Sequence, residues 1–261
     1  MTDNAAVLQA LHREGPLVLP NAWDAGSAAA IEAAGAKAIA TTSAGIAWAY
    51  GVPDGGGLDR ASALAALARI VRAVDVPVSA DIEAGYDDVA ATVADVIALG
   101  VGGINLEDRH SASGGLLGAS AQADRLRVAR SVAAAAGVDL CINARTDVYL
   151  GGSGQLAEVM DRADAYADAG ADVLFVPGVV DAEAIKVLVS GPLPLNVMVH
   201  PGALSVSELI DLGVARISVG SAIAQAAYGL AAAAAWEVLA EGTYTRLENG
   251  MDYGELNELL V

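Results

Sequence analysis

Two short acidic segments carry the strongest chemical signal in the sequence: Asp81-Ile82-Glu83-Ala84-Gly85-Tyr86 and Asn105-Leu106-Glu107-Asp108. Each lies where a run of β-forming residues ends. Carboxylates gathered at neighbouring strand ends would repel one another if left bare. A hard dication is the simplest compensation, and an all-oxygen donor set that retains waters favours Mg2+ or Mn2+. The competing reading is that these acids cap the following helices or pair with arginines. Two clusters at strand ends weigh toward the metal.

Arg145 ends a third such run, Asn143-Ala144-Arg145-Thr146-Asp147. A fixed guanidinium beside a metal suits bidentate capture of a carboxylate. It could also form a salt bridge to Asp81, Glu107 or Asp147, and the two roles are compatible. Thr42-Ser43-Ala44-Gly45-Ile46 reads as a small-residue turn whose backbone N–H groups can bind the same carboxylate. The glycine-rich stretch from Trp48 to Gly57 suits a mobile lid that delivers Asp54, or else a plain flexible loop. His200, just past the seventh run, is placed to donate to a substrate oxygen or move a proton, or simply to back such a group. His12 falls in a leading helix and His110 in a loop. Neither Lys37 nor Lys186, the only lysines, ends a strand, which argues against Schiff-base chemistry.

Something must bring these groups together. Eight β-like runs recur: Leu17–Pro20, Ala38–Thr42, Val76–Asp81, Gly103–Glu107, Leu140–Arg145, Val173–Val176, Leu195–Met198 and Arg216–Val219. Most are continuous and apolar, as parallel strands buried on both faces should be. Between them lie Ala/Leu-rich helical stretches such as Ala90–Leu99 and Ala121–Ala136, several closing on glycine. Polar groups at nearly every strand end point to a (β/α)8 TIM-type barrel, since an open sheet concentrates them at its switch point. The expected organisation is one α/β barrel domain over 1–261, with residues 241–261 as a tail for oligomer packing. Side-chain alternation places Ser79, Asn105 and Asn143 inward beneath the site, with Cys141 lower as a packing residue.

At 261 residues the chain has the length of one such barrel. A net charge of −18 argues against nucleic-acid partners and anionic membranes, and means that an acidic substrate needs a local cation. The single cysteine excludes an internal disulfide. The N-terminus lacks a signal-peptide layout, and Ala222–Ala240 reads as a packed barrel helix rather than a membrane span, so a cytoplasmic location is expected. Apolar tail residues such as Tyr244, Leu247, Tyr253 and Leu256 must cover either their own barrel or a neighbour's.

With these residues in view, the sequence resembles the isocitrate lyase/phosphoenolpyruvate mutase superfamily. The likeness runs from about Leu17 to the helix after strand eight. It rests on Ser27-Ala28, T-S-A-G, G-V-P-D, the D-x-E-x-G-Y variant of the family's D-x-D-x-G-Y/F, N-x-E-D and A-R-T-D. The resemblance implies a Mg2+- or Mn2+-dependent enzyme acting on small 2-oxo or 2-hydroxy carboxylic acids through an enolate. It matches Asp81, Glu83 and Glu107 to the metal shell, some through waters. Ser43, Ala44, Gly45 and Arg145 match the carboxylate site, Asp54 the gating-loop acid, and Asn196 a strand-seven substrate asparagine. It further implies a homotetramer, as a dimer of dimers exchanging a C-terminal helix, or a homodimer.

The lyases' K-K-C-G-H loop after strand four is replaced here by R-H-S-A-S-G-G-L-L-G, Arg109 to Gly118. The catalytic cysteine is absent, and so are the mutase branch's lysine and asparagine. The reading is a carbon–carbon lyase, by cleavage or decarboxylation, in which Asp54, His200 or water protonates the enolate. The alternatives are a phosphoenolpyruvate mutase or phosphonopyruvate hydrolase-like P–C bond enzyme, and a non-catalytic 2-oxo acid binding barrel. A phosphate-binding barrel using Ser218-Val219-Gly220-Ser221 is a weaker third reading.

Overall fold

Pro20 explains why a barrel of eight sequence runs contains nine strands in space. Lacking an N–H, it interrupts the first run, which divides into β1 (Leu17–Leu19) and β2 (Asn21–Ala22). The remaining strands are β3 (Ile39–Thr41), β4 (Val78–Asp81), β5 (Gly103–Glu107), β6 (Cys141–Arg145), β7 (Val173–Phe175), β8 (Leu195–Met198) and β9 (Arg216–Ser218). The computed structural model describes residues 3–86, 88–109, 114–150 and 154–260. Every pairing between these strands is parallel, in the order β1-β9-β8-β7-β6-β5-β4-β3-β2. Since β1 and β2 are two halves of one barrel strand, the sheet closes: one half pairs with β9 and the other with β3. The (β/α)8 TIM-type barrel expected from the sequence is the fold observed.

The apolar residues divide into two shells. Inside the barrel, Leu17, Leu19, Ala38, Ala40, Cys141 and Val173 pack with Leu8 of the N-terminal helix Asn4–Glu14. That helix plugs the barrel's lower end. Gly103 lets it approach, because a Cβ there would come within 2.8 Å of Leu8 Cδ2. Cys141 is fully buried and burial holds its thiol up at about 12, which suits packing and not nucleophilic work. Outside the strands, residues such as Val93, Val96, Leu126, Leu174 and Ile185 join sheet and helices in the larger core. Many of the acids have local work. Asp3, Asp24, Asp59, Asp88, Asp181 and Asp252 each cap a helix N-terminus through a side-chain oxygen.

His12 comes from the plugging helix, and its Nδ1 donates to the Leu8 carbonyl at 2.9 Å while Nε2 has no partner. Burial, with the Arg216 charge adding to it, lowers its pKa from 6.5 to about 4. The folded form therefore prefers neutral imidazole. Stability should be full above pH 6.5 and decline as pH falls toward 4, by up to about 3 kcal/mol at 1.36 kcal/mol per unit. Urea titrations of wild type and His12→Leu across that range check this: the variant should lose that share of the slope, and identical slopes would contradict it.

The helix Ala222–Ala240 departs from expectation. By length and composition it could cross a membrane, but it is not the packed barrel helix anticipated. Only Ala224, Ala234 and Glu237 are buried, while Trp236 and Leu239 are 57% and 87% exposed. Glu237 ties the following segment back, accepting from Thr243, Thr245 and the Arg246 N–H. Tyr244, Leu247, Tyr253 and Leu256 nevertheless stay exposed, so the tail does not cover its own barrel.

Candidate active site

The C-terminal ends of the strands surround a cavity of about 170 Å³. Asn21, Ser43, Ala44, Asp54, Asp81, Asn105 and Arg145 form its polar wall, and Leu150, Phe175, Pro177 and Met198 its apolar one. Strand register brings these groups to one level, with Asp81 beside Asn105, Asn105 beside Asn143, and Glu107 beside Arg145. As alternation requires, Ser79, Asn105 and Asn143 are all buried inside the barrel.

Asp81 is held from three sides. Its Oδ2 accepts from the Ser43 hydroxyl at 2.8 Å and the Ser43 N–H at 3.2 Å, and its own N–H donates to Thr41 Oγ1. The D-I-E-A-G-Y turn beyond it is unusual. Glu83 and Tyr86 have φ of 50° and 53°, in a left-handed region that non-glycine residues rarely enter. Such strain persists where surrounding contacts over-determine it, and here the Glu83 carbonyl accepts from the Glu107 N–H at 3.0 Å. The turn holds Glu83 near Asp81, in an adjoining cleft that both line with Tyr86.

Arg145 is clamped by acids. Its Nε and Nη2 donate to the two oxygens of Asp147 at 2.6 and 3.0 Å, and Nη1 lies 2.9 Å from Glu107 Oε2. Burial opposes its charge, but Glu107, Asp147 and Asp81 outweigh that and keep it protonated. The guanidinium carbon sits 5.8 Å over the Phe175 ring. Asp108 anchors the layer below. It is fully buried and accepts from Arg162 Nη1, the Tyr166 hydroxyl and the Asp147 N–H. The salt-bridge role and the cavity-facing role of Arg145 therefore coexist.

Charge shows what the acidic cluster lacks. Burial and the neighbouring Asp81 and Asp54 push Glu83 up to about 7. Burial pushes Glu107 up to about 8, against Arg145 and with help from Asp147 and Asp81. One guanidinium does not neutralise these carboxylates, and an added dication would. The donors are all oxygen, which fits Mg2+ or Mn2+. Among the described residues no three acidic or histidine side chains close into one direct cage. Of Asp81, Glu83 and Glu107, only Asp81 is on the cavity wall, and it is the one an ion there would touch first.

The other expected residues divide. Asp54 lines the cavity from an exposed loop, and loss of solvent raises its pKa against the Gly55 N–H. The expected lid, Trp48–Gly57, begins within the helix Ser43–Ala49, which takes Trp48 and Ala49 and leaves Asp54 in the loop beyond it. Thr42–Gly45 is thus a helix start, not an open turn. Gly45 leaves the list of carboxylate donors: its N–H is taken by Thr42 Oγ1 at 3.3 Å, and the residue is glycine because a Cβ would meet Trp23 Cβ at 2.8 Å. Asn196 is fully buried beneath the cavity, near Ser218, and does not line it. The His200 side chain is exposed, its one hydrogen bond among the described residues is to the Pro201 carbonyl, and it is absent from the cavity lining, which corrects the expectation that places it at the reacting atoms. The loop that replaces the lyase motif lies partly outside the described residues, at His110–Ser113. The phosphate reading fails on its donors, because the Val219 and Gly220 N–H groups both bond Asn21 Oδ1 at 3.0 Å. Sequence reasoning missed Phe175, the only phenylalanine, although an aromatic at a strand end beside Asn143–Asp147 was a usable signal.

A closed parallel barrel with an acid-lined, arginine-bearing mouth is a scaffold for chemistry on small carboxylic acids. A family model described as phosphoenolpyruvate phosphomutase matches residues 8–239. Uncharacterized protein Rv1998c of Mycobacterium tuberculosis strain H37Rv is 38% identical over 255 residues, covering 96% of this chain and 95% of that protein. The 2-methylisocitrate lyase of Shewanella oneidensis is 30% identical over 213 residues, covering 75% and 71%. The structure of oxaloacetate acetylhydrolase in complex with the product oxalate superposes with a TM-score of 0.90 at 25% identity, covering 99% and 94%. The chain belongs to the isocitrate lyase/phosphoenolpyruvate mutase superfamily, and it is an enzyme of that lyase/mutase class.

Proposed function

We propose that the protein is a cytoplasmic, dication-dependent carbon–carbon lyase acting on a small 2-oxo or 2-hydroxy dicarboxylic acid. The observation that carries this reading is a clamped Arg145 facing Asp81 across one cavity, with Glu107 against the guanidinium and Glu83 in the adjoining cleft, carboxylates that one cation leaves under-neutralised. Arg145 holds a substrate carboxylate with Ala44 on the cavity wall beside it, while Ser43 spends its hydroxyl and N–H on fixing Asp81. Mg2+ or Mn2+, held by Asp81 with Glu83 and Glu107 through waters, would supply positive charge where the enolate oxygen develops. The hydroxyl on the departing carbon, the substrate's own in a 2-hydroxy acid or water's after addition to a 2-oxo carbon, passes its proton to Asp54 and becomes a carbonyl oxygen as the C–C bond breaks and its electron pair moves into the enolate. Asp54, which burial makes a weaker acid than a free carboxyl, then returns that proton to carbon. Leu150, Phe175 and Met198 limit water on the opposite wall. Oxaloacetate is a natural first substrate to try, given what the structural relative hydrolyses and binds. A P–C bond enzyme and a silent binding barrel remain the outcomes that turnover assays would separate from it.

Calorimetry with oxalate tests the site. Oxalate should bind in Mg2+ at least about tenfold more tightly than in EDTA, a gain of about 1.4 kcal/mol. Equal affinity in both buffers would refute the metal. Asp54→Ala should lower kcat by roughly 10²–10⁴, the usual worth of a positioned proton donor, and leave that metal-linked gain intact. If the gain disappears, Asp54 is a ligand.

The exposed faces of Ala222–Ala240 and of the tail support a homo-oligomer, as a dimer or a dimer of dimers, with a neighbouring copy covering Trp236, Leu239 and Tyr253. Light scattering at micromolar concentration should give a multiple of 26.1 kDa, and a monomer would contradict it.

A further inference from the structure

Arg216 has the largest side chain in the protein with no solvent exposure, and among the described residues no carboxylate pairs with it. It reaches from β9 into the barrel interior. There Nη2 donates to Ser79 Oγ at 2.9 Å and to Asn105 Oδ1 at 3.3 Å, while Nε and Nη1 have no partner. A buried guanidinium without a counter-ion is costly, and a packing role does not account for it. Its clearest consequence falls on Asn105.

A guanidinium has five donors and no acceptor, so the Asn105 atom that faces it must be the oxygen. Asn143 Nδ2 donates to the same oxygen at 2.7 Å. With Oδ1 held twice from below, the orientation of the amide is fixed and its Nδ2 lies on the other side. Asn105 lines the cavity between Asp81 and Arg145, and among the described residues nothing accepts from Nδ2. The buried cation thus sets the polarity of a cavity group that would otherwise be free to flip.

We propose that Asn105 is a substrate-contacting donor on the cavity floor, and that Arg216 is the positioning residue that holds its N–H groups toward the ligand. The ligand atom it reads is an anionic or carbonyl oxygen, apart from the carboxylate held by Arg145. A substrate lacking an oxygen at that point would leave the donor unmet. This rests on the reading of the cavity as a 2-oxo acid site and adds a specificity contact to it.

Side-chain amide spectra of 15N-labelled protein test it, with oxalate and Mg2+ as the probe. The Asn105 amide pair is identified by its loss in Asn105→Asp, and it should shift on oxalate addition. Asn105→Asp keeps the shape and gives Arg216 a carboxylate, so the fold should hold. It replaces the donor with an anion, however, and oxalate affinity should fall at least about thirtyfold, within the range that one charge-assisted hydrogen bond spans. Asn105→Ala should lose about tenfold. Arg216→Lys, which keeps a charged donor, should retain most of the affinity that Arg216→Met loses at equal folded fraction. Oxalate binding that leaves the Asn105 amide and both Asn105 variants at wild-type values would overturn this inference and spare the reading of the cavity. A wild-type protein that binds no oxalate would overturn both.

Discussion

Arg145→Lys should lose roughly ten- to two-hundredfold in kcat/KM and keep its fold. Lysine preserves the charge beside Glu107 and Asp147, so neither buried acid is left without a cation. It cannot reproduce the planar fork that meets both Asp147 oxygens and still presents an edge to the cavity. A lost charge-assisted hydrogen bond is worth about 1.5–3 kcal/mol, which sets the range. The loss should appear mainly in KM if the fork grips ground state and transition state alike, and in kcat if the grip tightens as the enolate forms. Wild-type kcat/KM in the variant would show that the carboxylate lies elsewhere.

The largest stability effect is expected at Asp108, which touches no part of the cavity. Asp108→Ala leaves Arg162, only 7% exposed in its side chain, without its buried partner, and strips an acceptor from the Tyr166 hydroxyl and the Asp147 N–H. Breaking one side of a buried pair typically costs 3–5 kcal/mol, or roughly 10 °C in Tm for a chain of this size. Glu158 offers Arg162 a partial substitute at 2.9 Å, which favours the lower end. Because Asp147 in turn holds Arg145, activity should also fall at temperatures where the variant is still folded. Thermal unfolding followed by circular dichroism reads the first effect, and an unchanged Tm would contradict it.

The barrel was legible because parallel strands buried on both faces leave a strong trace, continuous Val/Ile runs closing on polar residues. That periodicity also placed Asn105, Asn143 and Cys141 inward correctly. What it could not supply was the third dimension within a loop. His200 follows strand β8 in sequence, but its ring turns out to solvent against Pro201. Gly45 looked like an anion-binding turn and is instead a close-packing position, a distinction that depends on where Trp23 and Thr42 come to rest. Proline punctuation split the first strand without changing the barrel. The exposed face of Ala222–Ala240 escaped because an alanine-rich helix has almost no amphipathic signal to show which side it buries. Arg216 was invisible as a buried cation, since nothing in Ala215-Arg216-Ile217 marks it as facing the interior without an acid opposite.

The central claim is that this mouth breaks a bond in a 2-oxo or 2-hydroxy diacid with a dication's help. The direct measurement is product formation, followed by NMR, from oxaloacetate and a set of 2-oxo diacids and alkylmalates, with Mg2+ and with EDTA. The account predicts carbon–carbon cleavage products from at least one of them in Mg2+, and loss of that turnover in EDTA. Tight binding of these acids without any turnover, or turnover indifferent to EDTA, would contradict it.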